Sequence, residues 1–117
     1  MGIDLKVMAT SFRERPTEML PTASVYFERD MRLLSLFSRE ATPCIVRPMP
    51  QELKIGNYED NGLQFHDLDR YGRPLTWISS SDLKKLTVPF EISPWNRAVL
   101  AFLSELPDDR RIVLYWC

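Results

Sequence analysis

The chain is at its most apolar from Ser93 to Cys117. Trp95, Val99, Phe102, Leu103 and Leu106 recur at helical spacing, and Ala98, Leu100 and Ala101 widen that face. Asn96, Arg97, Ser104 and Glu105 are left as a polar strip, so this helix is expected to be mostly covered by the rest of the chain. Ser93 can cap its start, and Pro94 fits the first helical position, where no amide donor is needed. Pro107 ends it, with a turn at Pro107-Asp108-Asp109. Ile112 to Cys117 then runs apolar at every position. An amphipathic strand would alternate, so this run predicts an interior strand covered on both faces. That requires helices on both sides of the sheet, or a second copy of the chain over one side.

Elsewhere the period is two. Ile3, Leu5, Val7 and Ala9 alternate with Asp4, Lys6, Met8 and Thr10, which predicts a half-buried strand. Ala23, Val25 and Phe27 predict a second. Ser11 to Pro21 between them reads as a loop with a short helical turn near Thr17 to Leu20, the first place to look for function. Asp30 can cap a helix over Met31 to Arg39, stopped at Thr42-Pro43. Cys44-Ile45-Val46 predicts a short strand, and Pro48-Met49-Pro50 must lie at a sheet edge or leave the sheet. Asn61-Gly62 between Leu53–Tyr58 and Leu63–Phe65 is a hairpin signal, since both residues tolerate positive φ. With Leu75 to Ile78, residues 53–78 read as a three-stranded meander. Ser80 or Ser81 can cap a short helix over Asp82 to Leu86, and Val88-Pro89-Phe90 leads to the C-terminal helix.

These elements predict a single α+β domain spanning residues 1–117. Its mixed, mainly antiparallel sheet of about five to six strands packs against the C-terminal helix and ends in a buried C-terminal strand. The length, 117 residues, suits one core. A net charge of −1 gives no global pull toward nucleic acid or anionic membrane, so neither is expected as a partner. No apolar run reaches the roughly 18 residues of a membrane helix. Asp4, Glu14 and Glu18 stand where a signal peptide would be apolar, so a cytoplasmic protein is expected, with Cys44 and Cys117 reduced. Arginine outnumbers lysine, 11 to 4.

Candidate chemistry concentrates between Glu59 and Arg73. Glu59, Asp60, Asp67 and Asp69 fall there with the single histidine, His66, and then Arg70, Tyr71 and Arg73. A cation site built from His66, Asp67 and Asp69 is disfavoured, because residues 66 and 67 of a strand point to opposite faces. A general-base role for His66 lacks a nucleophile beside it, whether a Gly-flanked serine or a cysteine at a helix start. Gly56, Gly62 and Gly72 are isolated, so no nucleotide fingerprint is present and no cofactor or metal is expected. Ser79-Ser80-Ser81 reads as a helix cap before it reads as an anion site. In phase, Leu63 and Phe65 share one face of their strand and Gln64 and His66 the other, which the polar Gln64 predicts to be the wet face.

The favoured expectation is a protein-binding module of the immunity-protein, antitoxin, inhibitor or adaptor type. Its loops and acidic hairpin would contact another protein, basic where it meets the carboxylates. Glu59, Asp60, His66, Asp67, Asp69, Arg70, Tyr71 and Arg73 are the binding candidates. The alternatives are an enzyme or small-ligand binder sited at His66, Asp67, Asp69, Arg70 and Arg73, and a structural subunit of a homodimer.

Overall fold

The computed structural model of the protein describes residues 3–10, 18–50, 53–89 and 91–117. Most of the loop expected at Ser11 to Pro21, and Phe90 of the linker, lie outside the described residues. In chain order the strands are β1 (Leu5–Thr10), β2 (Glu18–Met19), β3 (Ala23–Tyr26), β4 (Arg47–Pro48), β5 (Lys54–Glu59), β6 (Gly62–His66), β7 (Thr76–Ser79) and β8 (Arg111–Trp116). The helices are α1 (Met31–Leu34), α2 (Ser80–Lys84) and α3 (Pro94–Ser104).

β8 is the centre of a five-stranded sheet in the order β3-β1-β8-β7-β4. All four pairings in it are antiparallel, with Leu114 opposite Val7 on one side and Val113 opposite Trp77 on the other. A second sheet, β2-β5-β6, pairs β2 with β5 in parallel and β5 with β6 as an antiparallel hairpin. The result is an α+β fold with a C-terminal helix and a C-terminal strand packed in the sheet.

Successive side chains of β8 serve two different cores, as the period of two requires. Ile112 and Leu114 join Leu5, Val7 and Ile78 beneath Phe27, Leu33, Leu34, Phe37, Val99 and Leu103 of the helical layer. Val113 and Tyr115 join Met8 and Trp77 against Leu53, Ile55 and Leu75. Each fully buried Leu, Ile or Val contributes roughly 1.5–3 kcal/mol, so neither core is dispensable. The interior strand is as expected, but its second cover is neither helices nor a second copy. The small sheet of the same chain supplies it. β1 is sandwiched likewise, and all six of its residues are buried rather than half of them.

Several local expectations shift for identifiable reasons. The meander over residues 53–78 is divided: β5 and β6 enter the small sheet, while β7 pairs with β8 in the large one. Residues 44–46 form no strand; β4 follows at Arg47–Pro48 on the sheet edge, where Pro48 needs no ladder partner. Asp30 caps α1 by accepting from Arg32 N–H, but the helix tightens after Leu34 into a 3₁₀ turn over Ser35–Phe37. That turn buries Phe37 beside Phe27, with ring centroids 5.6 Å apart. Ser79, not Ser80 or Ser81, caps α2, because Ser80 is buried and donates to Leu103 O and Leu106 O at the end of α3.

α3 begins at Pro94 with Ser93 Oγ accepting from Asn96 N–H, as expected. Its orientation is not the expected one. Trp95 and Phe102 stand 51% and 44% exposed, while Asn96 is buried. The Asn96 side chain accepts from Glu28 N–H at 2.7 Å and donates to Glu28 O at 3.0 Å. An amide satisfied on both sides is stable in the interior, and it turns the helix so that Val99 and Leu103 follow it inward. The Trp95 indole donates to Tyr26 O at 2.7 Å, which ties the exposed side of α3 to β3.

Candidate functional site

The β5–β6 hairpin turns at Asn61-Gly62, where Gly62 has φ of +98°, the left-handed conformation that glycine takes without strain. Its register places Ile55 opposite His66, Gly56 opposite Phe65, Asn57 opposite Gln64 and Tyr58 opposite Leu63. Ile55 lies in the core between the sheets, so His66 and Asn57 also face the large sheet. Leu63, Phe65 and Tyr58 therefore face outward. The phase read from the sequence is right, but the inner and outer faces are exchanged. Gln64 is itself exposed and His66 keeps partial access to water, as that reading expects, but the large sheet covers the same side at Ile55 and Asn57.

The inward polar residues form one chain of contacts at an end of the space between the sheets. Lys6 Nζ donates to Asn57 Oδ1. Asn57 Nδ2 donates to Glu59 Oε1 at 3.2 Å, and the same oxygen lies 2.8 Å from His66 Nε2. The His66 ring leans on Tyr115, with centroids 5.7 Å apart. The Lys6 ammonium also sits 5.4 Å from the centre of the Tyr26 ring. Burial pulls the Lys6 pKa down, with Cys117 and Glu59 opposing. The hydrogen bond from His66 holds the Glu59 carboxyl below its usual value against a smaller desolvation effect. Burial pushes the Tyr115 phenol up, and the Glu59 charge adds to it. Lys6 and Asn57 were missed in the sequence because β1 read as half-buried, which left Asn57 without its partner on another sheet.

The outer face of the hairpin is apolar at its centre. A Cβ placed on Gly56 would meet Leu20 Cδ2 at 2.7 Å, Leu63 Cδ1 at 3.1 Å and Phe65 Cε1 at 3.2 Å. Those three side chains converge over Gly56, so a larger residue there would have to push the exposed Leu20 side chain aside. Tyr58 beside them is 70% exposed and Leu20 is 51% exposed. Glu18 and Lys54 face each other across β2 and β5, and Asp60 stands exposed at the hairpin tip.

The turn after β6 accounts for the remaining candidates. Asp69 is buried, and its Oδ1 accepts the N–H groups of Tyr71 at 2.8 Å and Arg73 at 3.1 Å. This carboxylate organises its own turn, which Gly72 closes with φ of +78°. Arg70 N–H donates to Trp116 O, which stitches the turn to the end of β8. Arg73 pairs with Glu40 at 3.1 Å. Asp67, Arg70, Tyr71 and Arg73 are exposed. The eight candidates thus divide into an inward pair, Glu59 and His66, one buried turn organiser, Asp69, and five exposed residues. Among the described residues no group of three or more His, Cys, Asp and Glu side chains is placed to hold a metal ion. No helix among them is long and apolar enough to cross a membrane. No protein-family model, curated protein or solved structure matches the chain.

Proposed function

We propose that this protein is a binding module that docks another protein on the outer face of the β5–β6 hairpin. The observation that carries the reading is the sheet face over Gly56, where Leu20, Tyr58, Leu63 and Phe65 meet without a covering layer among the described residues. A contiguous apolar patch with a polar rim marks an interaction surface, and tyrosine is enriched at the energetic centres of such surfaces. The rim sets the partner's chemistry. Among the described residues Glu18, Asp60 and Asp67 are exposed carboxylates, with the Lys54 ammonium beside Glu18. A second copy would set this acidic rim against itself, whereas a basic partner would gain both association rate and register. The partner is therefore a protein with an apolar patch ringed by Lys or Arg.

The test is site-specific photocrosslinking in lysate of the source cells, with the photoreactive residue at position 58 and, as a control, at exposed position 109. The proposal expects one protein captured from position 58 only, less of it at high salt, and none with Leu20→Asp/Leu63→Asp in a chain that still melts cooperatively. Equal capture from both positions, or capture of the chain itself alone, would overturn it.

A further inference from the structure

β3 ends the strand order of the large sheet, and α3 lies beside it. A cavity of about 240 Å³ lies in the groove between them, lined by Ala23 and Val25 of β3 and by Trp95, Ala98, Val99 and Phe102 of α3. The backbone of β3 is open along this edge. Val25 pairs with Val7, and Phe27 N–H donates to Leu5 O, so the alternation of an antiparallel ladder turns the N–H and C=O of Ser24 and Tyr26 away from β1. The Tyr26 carbonyl shows that direction, since it accepts from the Trp95 indole. The N–H and C=O of Ser24 and the N–H of Tyr26 have no backbone partner among the described residues. Edge strands are commonly blunted by charge, proline or a covering segment. Ala23-Ser24-Val25-Tyr26 carries neither charge nor proline, and Trp95 closes it at one end alone.

An open strand edge beside an apolar pocket is what an extended peptide needs: main-chain hydrogen bonds supply affinity, and the pocket selects alternate side chains. We infer that β3 takes up an extended segment of a partner protein as a further strand, with aliphatic or aromatic side chains in the cavity and Lys or Arg on either side of them. The volume is below that of pockets for small organic ligands and suits one or two side chains. Charge selects the occupant. Glu28 stands exposed where the chain leaves β3, and Glu105 stands exposed one turn beyond Phe102. Neither carboxylate has an ion-pair partner among the described residues. Arg29 is paired with Asp4, and Arg97 lies away from the groove, beside Val88 and Pro89. α3 starts at the end of β3, where Trp95 bonds Tyr26 and Asn96 bonds Glu28, and runs back to Phe102, which shares the cavity with Ala23 and Val25. The two carboxylates therefore mark opposite ends of the groove. A second copy paired two-fold through β3 would bring Glu105 of each chain toward Glu28 of the other, which disfavours self-pairing. A basic segment instead meets a carboxylate at each end. This edge belongs to the large sheet and is separate from the hairpin face on the small one.

The test is a titration of the ¹⁵N-labelled full chain, at low ionic strength, with acetylated and amidated peptides Lys-Thr-Xaa-Thr-Xaa-Thr-Lys in which Xaa is Val, Leu or Phe. The same peptides with Glu at both ends are the comparison. The inference expects saturable amide shifts from Ala23 to Glu28 and at the Trp95 indole, with the β5–β6 hairpin unmoved. In the complex the Ser24 and Tyr26 amides should exchange with solvent about tenfold or more slowly, which a contact through side chains alone would not produce. The Glu-ended peptides should bind about tenfold more weakly, and Glu28→Lys/Glu105→Lys should reverse the preference. If that variant fails to fold, the contrast of the two peptide ends on the unaltered chain decides. Equal binding of the two ends, shifts without slowed exchange at Ser24 and Tyr26, or no saturable shift with any Lys-ended peptide at millimolar concentration would each overturn the inference. Protection of the same two amides on raising the concentration of the chain alone would also overturn it, by making a second copy the occupant.

Discussion

Replacing Ile55 with Ala tests whether the small sheet of this chain is a structural layer of its own fold. Ile55 is fully buried on β5, between β2 and β6, and packs among Met8, Leu53, Leu75, Trp77, Val113 and Tyr115. The substitution removes three carbons, which at about 0.8 kcal/mol each gives roughly 2.4 kcal/mol before any cavity is counted. The neighbours come from two sheets and cannot all collapse inward, so a cavity cost adds to this. About 3–4 kcal/mol is expected, within the range of about 2–5 kcal/mol for such truncations. With about 2.1 cal/mol/K of unfolding entropy per residue, a chain of 117 residues loses about 12 °C of melting temperature for 3 kcal/mol. Urea unfolding followed by circular dichroism should show the lower midpoint at unchanged slope, and the shift should not depend on protein concentration. Tyr58→Ala, on the exposed side of the same strand, should cost under about 1 kcal/mol. An Ile55→Ala cost below about 0.5 kcal/mol, or one that disappears at high protein concentration, would refute the two-sheet packing.

Three further outcomes follow from the geometry. Asn96→Leu should destabilise by about 2–4 kcal/mol, because it strands the N–H and C=O of Glu28; unfolding midpoints check this against Arg97→Leu on the exposed side of α3, expected to be nearly neutral. Glu59 has a folded pKa below its unfolded value, so its contribution is present above about pH 4.3 and is lost as pH falls through the folded value; His66→Gln should flatten that part of the acid-unfolding curve, and an unchanged curve would contradict the pairing. Cys44 is exposed, whereas Cys117 is partly buried with its thiol pKa pushed up by burial, so a thiol reagent at neutral pH should titrate one group fast and one slowly.

The sequence made the burial of β8 legible because an unbroken apolar run has one physical reading. It could not say what covers the second face, since a sheet, a helix and a second copy all bury Val113 and Tyr115 equally well. The hairpin shows the same limit. A period of two tells which residues share a face, but not which face is inside, and the exposed Gln64 says nothing of Ile55 and Asn57, which the large sheet covers on the same side. Asn61-Gly62 located the turn because a tight hairpin demands positive φ, which few residues other than glycine and asparagine tolerate. Asn96 was invisible as a core residue because its partners are backbone groups of Glu28, distant in sequence. Lys6 was placed outward for a related reason: its acceptor, Asn57, arrives on another sheet. Of the candidate site, Tyr71 and Arg73 were legible from local composition.

The central claim is that β8 is held between two layers of its own chain, and hydrogen exchange at Ile112 to Tyr115 tests it most directly. An interior strand paired on both sides and covered on both faces has no local route to solvent. Measured residue by residue under conditions where exchange reports opening free energy, these amides should exchange with the free energy of global unfolding obtained from urea, as should Val7 and Met8 on the paired β1. Opening of Val113 and Tyr115 several kcal/mol below the global value, while β1 stays protected, would show that the small sheet does not cover this strand and would contradict the account.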